Sequence, residues 1–196
     1  MHFMLGHAGL CRASVLALVA VFAAVGCETP KPAVTAAQLE DVPLTISVST
    51  DGVFAKGRPW HLRVDSAGQA ELTLGFSPFP VGKGRDPIRK QFQVSKEQMA
   101  EFRKALADER FFELAGEYGE RVPDGSERVV TVAAGRHANT VRVHFLMNWV
   151  AAKDKAKLQE PARAVRLLVL VRGWFDAEEA VDHREYDRRV LDAVKK

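Results

Sequence analysis

Beyond the first 27 residues the chain carries four histidines, His61, His137, His144 and His183, the side chains best suited to proton transfer or metal ligation near neutral pH. None stands at ligand spacing to another histidine or a carboxylate in the manner of a zincin helix, so no metal and no cofactor are expected. His61 and His144 fall on the polar faces of β-rich runs, with Arg63, Asp65 and Arg142 as neighbours, where a polar binding face would form. A hydrolase would rest on a polar residue such as His144 or Asp65, yet no Gly-x-Ser-x-Gly elbow is present. Gly82-Lys83-Gly84-Arg85 departs from a phosphate loop because Pro87 follows where a helix must open. The same stretch does place Lys83, Arg85, Arg89 and Lys90 beside Phe76 and Phe79, a mixture suited to contact with an acidic partner. Glu117 to Glu120 and Asp124-Gly125 read as turns, since a calcium loop needs more carboxylates at alternate positions. The chain is therefore not expected to be an enzyme.

Ala13 to Gly26 follows Arg12 as an apolar run of 14 residues interrupted only by Ser14. A membrane-crossing helix needs roughly 20 apolar residues, whereas an export signal uses about 7 to 15 after a positive start. The run ends in Ala24, Val25, Gly26 and Cys27, which resembles the lipobox of bacterial lipoproteins, with Ala24 where leucine is usual. That resemblance implies cleavage after Gly26 and acylation of Cys27, whose thiolate is the nucleophile that takes the lipid. Small side chains at Ala24 and Gly26 suit an extended backbone entering a peptidase groove. Glu28, rather than Asp, follows the cysteine, and by analogy with lipoprotein sorting this implies an outer-membrane address facing the periplasm. The other cysteine, Cys11, lies inside the signal, so the mature domain has no disulfide and depends on core burial.

With 196 residues, 47% of them hydrophobic and 27% charged, the chain is sized for one globular domain and excludes disordered, coiled-coil and multi-span membrane classes. Lys plus Arg number 28 against 25 Asp plus Glu, and a surplus of +3 does not point to nucleic acid. The organisation expected is a signal peptide over residues 1 to 26, a lipidated N-terminus and Pro-containing tether over 27 to 41, a domain over 42 to 180, and a helix or tail over 181 to 196.

Within that domain, Leu44, Ile46 and Val48 alternate with polar residues, as do Trp60, Leu62 and Val64, and a third run spans Gln69 to Phe76. Asp51-Gly52 and Ser66 to Gly68 are turn signals, so these runs predict a three-stranded meander. Ser77 to Pro87 is a long loop. Ser95-Lys-Glu-Gln98 is a capping box, and Met99, Phe102 and Leu106 predict a helix from Lys96 to about Asp108. Phe111, Phe112 and Leu114 form a short packed segment before a loop from Gly116 to Gly125. Glu127 to Ala134 and Asn139 to Phe145 flank a Gly135-Arg-His turn as a second hairpin. Pro161 suits the first turn of a later helix whose inner face is Val165, Leu168, Val169 and Arg172 or Trp174, and Tyr186, Val190 and Val194 share one face of a last helix. The fold predicted is α+β, an antiparallel sheet of about five strands with helices packed on one face.

Ser49 to Leu72, then Gln91 to Leu114, Tyr118 and the late hairpin resemble a group of small exported bacterial domains without assigned chemistry. Ser49 to Gly57 and the helix ending in Arg110-Phe-Phe are similar to emfourin-type inhibitors of secreted metalloproteases. Three functions follow as expectations: a lipid-anchored, non-catalytic envelope protein that binds another envelope component through its sheet face or the Ser77 to Lys90 loop; a protease inhibitor; or an unrecognised hydrolase.

Overall fold

The computed structural model describes residues 33–50, 58–75, 86–122, 125–176 and 180–195. The lipobox residues Ala24, Val25, Gly26 and Cys27, the Asp51-Gly52 turn, and Phe76, Phe79, Lys83 and Arg85 lie outside the described residues.

Strict alternation makes the first strand. In β1 (Leu44–Thr50) every second side chain, from Leu44 through Ile46 and Val48 to Thr50, is buried, as the period of two of an extended chain requires. Its neighbours β2 (Trp60–Val64) and β6 (Arg128–Ala134) pair with it antiparallel on either side. β3 (Gln69–Leu74) and β4 (Ile88–Gln93) continue the sheet beyond β2. β7 (His137–Val143) pairs antiparallel with β6, and β5 (Glu117–Tyr118) adds to β7 in parallel. The sheet thus has seven strands in the order β4-β3-β2-β1-β6-β7-β5. The α+β class holds, while the expectation of about five strands is corrected by β4 and β5. β4 has no apolar alternation because it lies at the sheet edge, and β5 is only two residues long.

Register carries the core across the sheet. Leu72, Leu62, Val48, Val130 and Val141 stand opposite one another on five adjacent strands, and each is buried. The turn between β2 and β3 closes on Gly68 at φ +82, a left-handed conformation that favours glycine. Asp65 Oδ1 accepts from the backbone N–H of Ala67 and of Gln69, both at 2.9 Å, so this carboxylate holds the turn. His137, expected in the turn of the second hairpin, is the first residue of β7 and stands opposite Ala134.

α2 (Lys96–Asp108) begins at Ser95 with the reciprocal capping box to Gln98 and buries Met99, Phe102 and Leu106. Phe111–Glu113 forms a single 3₁₀ turn. After the short α3 (Met147–Ala151), α4 (Lys155–Arg172) starts at an Asp154 cap, so Pro161 lies inside the helix rather than in its first turn. Leu158, Val165, Leu167 and Leu168 are buried on α4. Val169, expected on the inner face, is 40% exposed, and Trp174 is buried beyond the helix end, edge-on to Phe102 at 5.3 Å.

Both ends of the described chain are held in the fold. α1 (Ala36–Glu40) carries its own capping box from Thr35 to Gln38 and buries Leu39 completely. Arg103 of α2 donates to the Leu39 carbonyl at 2.9 Å, a cation satisfying the end of a helix. Residues 36–40, expected as extended tether, are therefore helical and packed. At the other end α5 (Arg184–Lys195) runs along α4 and buries Val190.

Candidate functional site

Polar residues occupy core-facing positions at one end of the sheet. Thr50 is in phase with Val48 on β1, and Arg128 is in phase with Val130 and Val132 on β6. They stand opposite each other, and Trp60 of β2 stands opposite Thr50 on the other side. Trp60, Thr50 and Arg128 thereby form one cross-strand row on the buried face, with 2%, 3% and 2% of their surface exposed.

Over that row lies a cavity of about 450 Å³, walled by the end of α4, residues 180–183 and the start of α5. Phe175 meets Trp60 edge-on at 5.0 Å, and Leu168 and Val181 complete the apolar lining. Residues 180–183 are fixed by main-chain contacts: the N–H of Val181 donates to the Arg58 carbonyl at 2.9 Å, and Trp60 Nε1 donates to the Val181 carbonyl at 3.4 Å. The volume lies within the range of about 300–1,000 Å³ typical of small-molecule sites.

The charged groups sort into engaged and unengaged atoms. Arg128 Nη1 is paired with Asp187 Oδ1 in the core, and the guanidinium lies 4.6 Å from the centre of the Tyr186 ring. Burial pushes the Asp187 carboxyl above its ordinary value, against the pull of Arg128. Asp182 is held at about 2, first by its hydrogen bonds with Arg184. Arg172 donates to the Phe175 carbonyl at 2.9 Å and stacks 4.7 Å from that ring's centre. Burial, with Arg128 adding to it, pushes His183 down to about 4, so at neutral pH its imidazole is uncharged.

Thr50 Oγ1, Arg128 Nη2 and His183 Nε2, on three of the lining residues, have no hydrogen-bond partner among the described residues. A buried polar group left unsatisfied costs about 1–3 kcal/mol. Three such atoms around one cavity mark a place where the described residues leave their polar chemistry incomplete.

The residues singled out from the sequence are dispersed. His61 is half-buried on the open face of the sheet, its Nε2 2.9 Å from Ser47 Oγ, and burial lowers its pKa. His144 is not on a solvated strand face: it is 8% exposed, just past β7, with Nε2 3.1 Å from Glu117 Oε1. Asp65 is the turn residue described above. Arg89 and Lys90, expected in one basic contact patch, are successive residues of β4 and point to opposite faces of the sheet. Arg89 stands opposite Thr73 and Lys90 opposite Leu72. Among the described residues no group of three or more His, Cys, Asp or Glu could hold a metal ion, and no helix is long and apolar enough to cross a membrane.

The cavity residues were missed because each looks ordinary in its own segment. The signal that finds two of them is phase, since a threonine and an arginine continue the inward-facing positions of apolar strands. No family model matches the chain, and no curated protein matches it.

Proposed function

We propose that this protein is a lipid-anchored component of a bacterial envelope whose folded domain binds a ligand rather than transforming it. The cavity over Trp60, Thr50 and Arg128 is the observation that carries the binding half of this reading, because it combines an apolar enclosure with buried polar atoms that lack partners. Ala24, Val25, Gly26 and Cys27 support the anchoring half, with Cys27 as the acylated residue and Glu28 favouring an outer-membrane, periplasm-facing address. Two acyl chains or more give stable attachment where one gives only marginal binding.

The anchor is tested by metabolic labelling with a clickable palmitate analogue, comparing the wild type with Cys27→Ala and fractionating both. Label and membrane association in the wild type, both lost in the variant, are the expected result. An unlabelled wild type recovered from the medium overturns the anchor and makes inhibition of secreted metalloproteases the next activity to assay.

A further inference from the structure

We infer that the cavity beside Arg128 is a site for a small monocarboxylate with an aromatic or branched apolar body. This deepens the reading of the domain as a binding module and rests on it. The unengaged chemistry points to an acceptor. Arg128 Nη2 can only donate, and it has no partner among the described residues, while Nη1 is taken by Asp187. Thr50, on the neighbouring strand opposite Arg128, also lines the cavity, and its Oγ1 has no partner among the described residues, so a hydroxyl donor belongs to the same lining. His183 Nε2 is the third unpartnered atom around the same space.

Charge balance limits the head group. Among the described lining residues, Arg128, Arg172 and Arg184 are matched by Asp176, Asp182 and Asp187. No surplus exists to hold a phosphate of charge near −2, whereas a single carboxylate needs only the free edge of one guanidinium. Two of the aspartates are engaged, Asp187 by Arg128 and Asp182 by Arg184, and the third, Asp176, is exposed to solvent, so none offers a buried free carboxylate to an ammonium head. The perpendicular Trp60 and Phe175 rings, with Leu168 and Val181, supply the surface for an apolar body.

Calorimetric titration of the full chain tests this with three probes of nearly one shape: phenylacetate, phenylacetamide and 2-phenylethylamine. Phenylacetate is expected to bind one per chain, with the amide and the amine about tenfold weaker or more. Thr50→Val keeps the side chain's shape and is expected to weaken phenylacetate about three- to tenfold. Ala180→Leu, which fills the cavity from a buried lining position, is expected to abolish binding. If the amide or amine binds as tightly as the acid and Ala180→Leu still blocks it, the carboxylate assignment is overturned and the binding module remains. If none of the three binds, the binding reading falls with it and only the anchor is left, judged separately by the palmitate label. Binding unaffected by both substitutions places the ligand elsewhere and also overturns the inference.

Discussion

Arg128 at the start of β6 and Asp187 in the first turn of α5, 59 residues apart in sequence, meet as an ion pair in the core. With only 3% and 9% of their side chains exposed, both charges have lost most of their water. Removing either partner strands the other. Arg128→Met and Asp187→Leu are each expected to destabilise the fold by about 3–5 kcal/mol, while the double substitution recovers most of that loss. A double-mutant cycle by urea denaturation checks it, and additive losses would show that the two residues do not act as a pair.

Thr50→Val should stabilise the protein without ligand by about 1 kcal/mol, because it removes a buried hydroxyl that has no partner and keeps the β-branched shape. A lower melting temperature for the valine variant would mean that Thr50 Oγ1 is satisfied in solution.

Stability should fall on mild acidification. His183 has a folded pKa of about 4 against an ordinary value of 6.5, so between those values the unfolded chain binds more protons than the native one. Stability from this group is present above pH 6.5 and is lost as the pH falls toward 4, by up to roughly 3 kcal/mol. His183→Gln should flatten the slope of unfolding free energy over that window. An unchanged slope would assign the acid sensitivity to other groups.

The chain's two tyrosines both resist ionisation. Burial, aided by the hydrogen bond from its hydroxyl to Glu160 at 2.8 Å, pushes Tyr118 up to about 12, and burial also raises Tyr186. A tyrosinate absorbance titration of the native protein should therefore show little ionisation at pH 10, then a rise coupled to unfolding, since stability from these raised groups is lost as pH climbs above 10. A normal midpoint near pH 10 for either tyrosine would contradict its burial.

Leu39→Ala should cost about 2–5 kcal/mol although it lies in the segment that composition assigns to a tether. Equilibrium unfolding checks this, and a change near zero would mean that α1 does not dock in solution.

What the sequence made legible follows from how much each residue's neighbours are local. β1, β2 and β3 alternate cleanly because one face is core and the other wet, and α2 announces itself through Ser95, Gln98 and the Met99-Phe102-Leu106 stripe. β4 hid because Ile88 and Phe92 are only half-buried, with three exposed polar residues between them. The start of α4 was displaced because Pro161 reads as a first-turn residue, whereas the Asp154 cap sets the true beginning two turns earlier. The cavity was illegible for a different reason. Trp60, Thr50 and Arg128 become neighbours only through strand register, and α5 reaches them only through tertiary packing.

Arg89 and Lys90 stand on β4, the edge strand of the described sheet. In the described sheet β4 pairs only with β3, which leaves a row of backbone donors and acceptors that a second chain could extend. Lys90 projects on the same side as the buried Leu72, between the half-buried Ile88 and Phe92, and Arg89 projects on the other. A strand arriving from another copy would have to bring its own apolar residues against an ammonium on one side and a guanidinium on the other. An edge strand carrying a cation toward each face is a poor template for pairing with a second copy of the sheet.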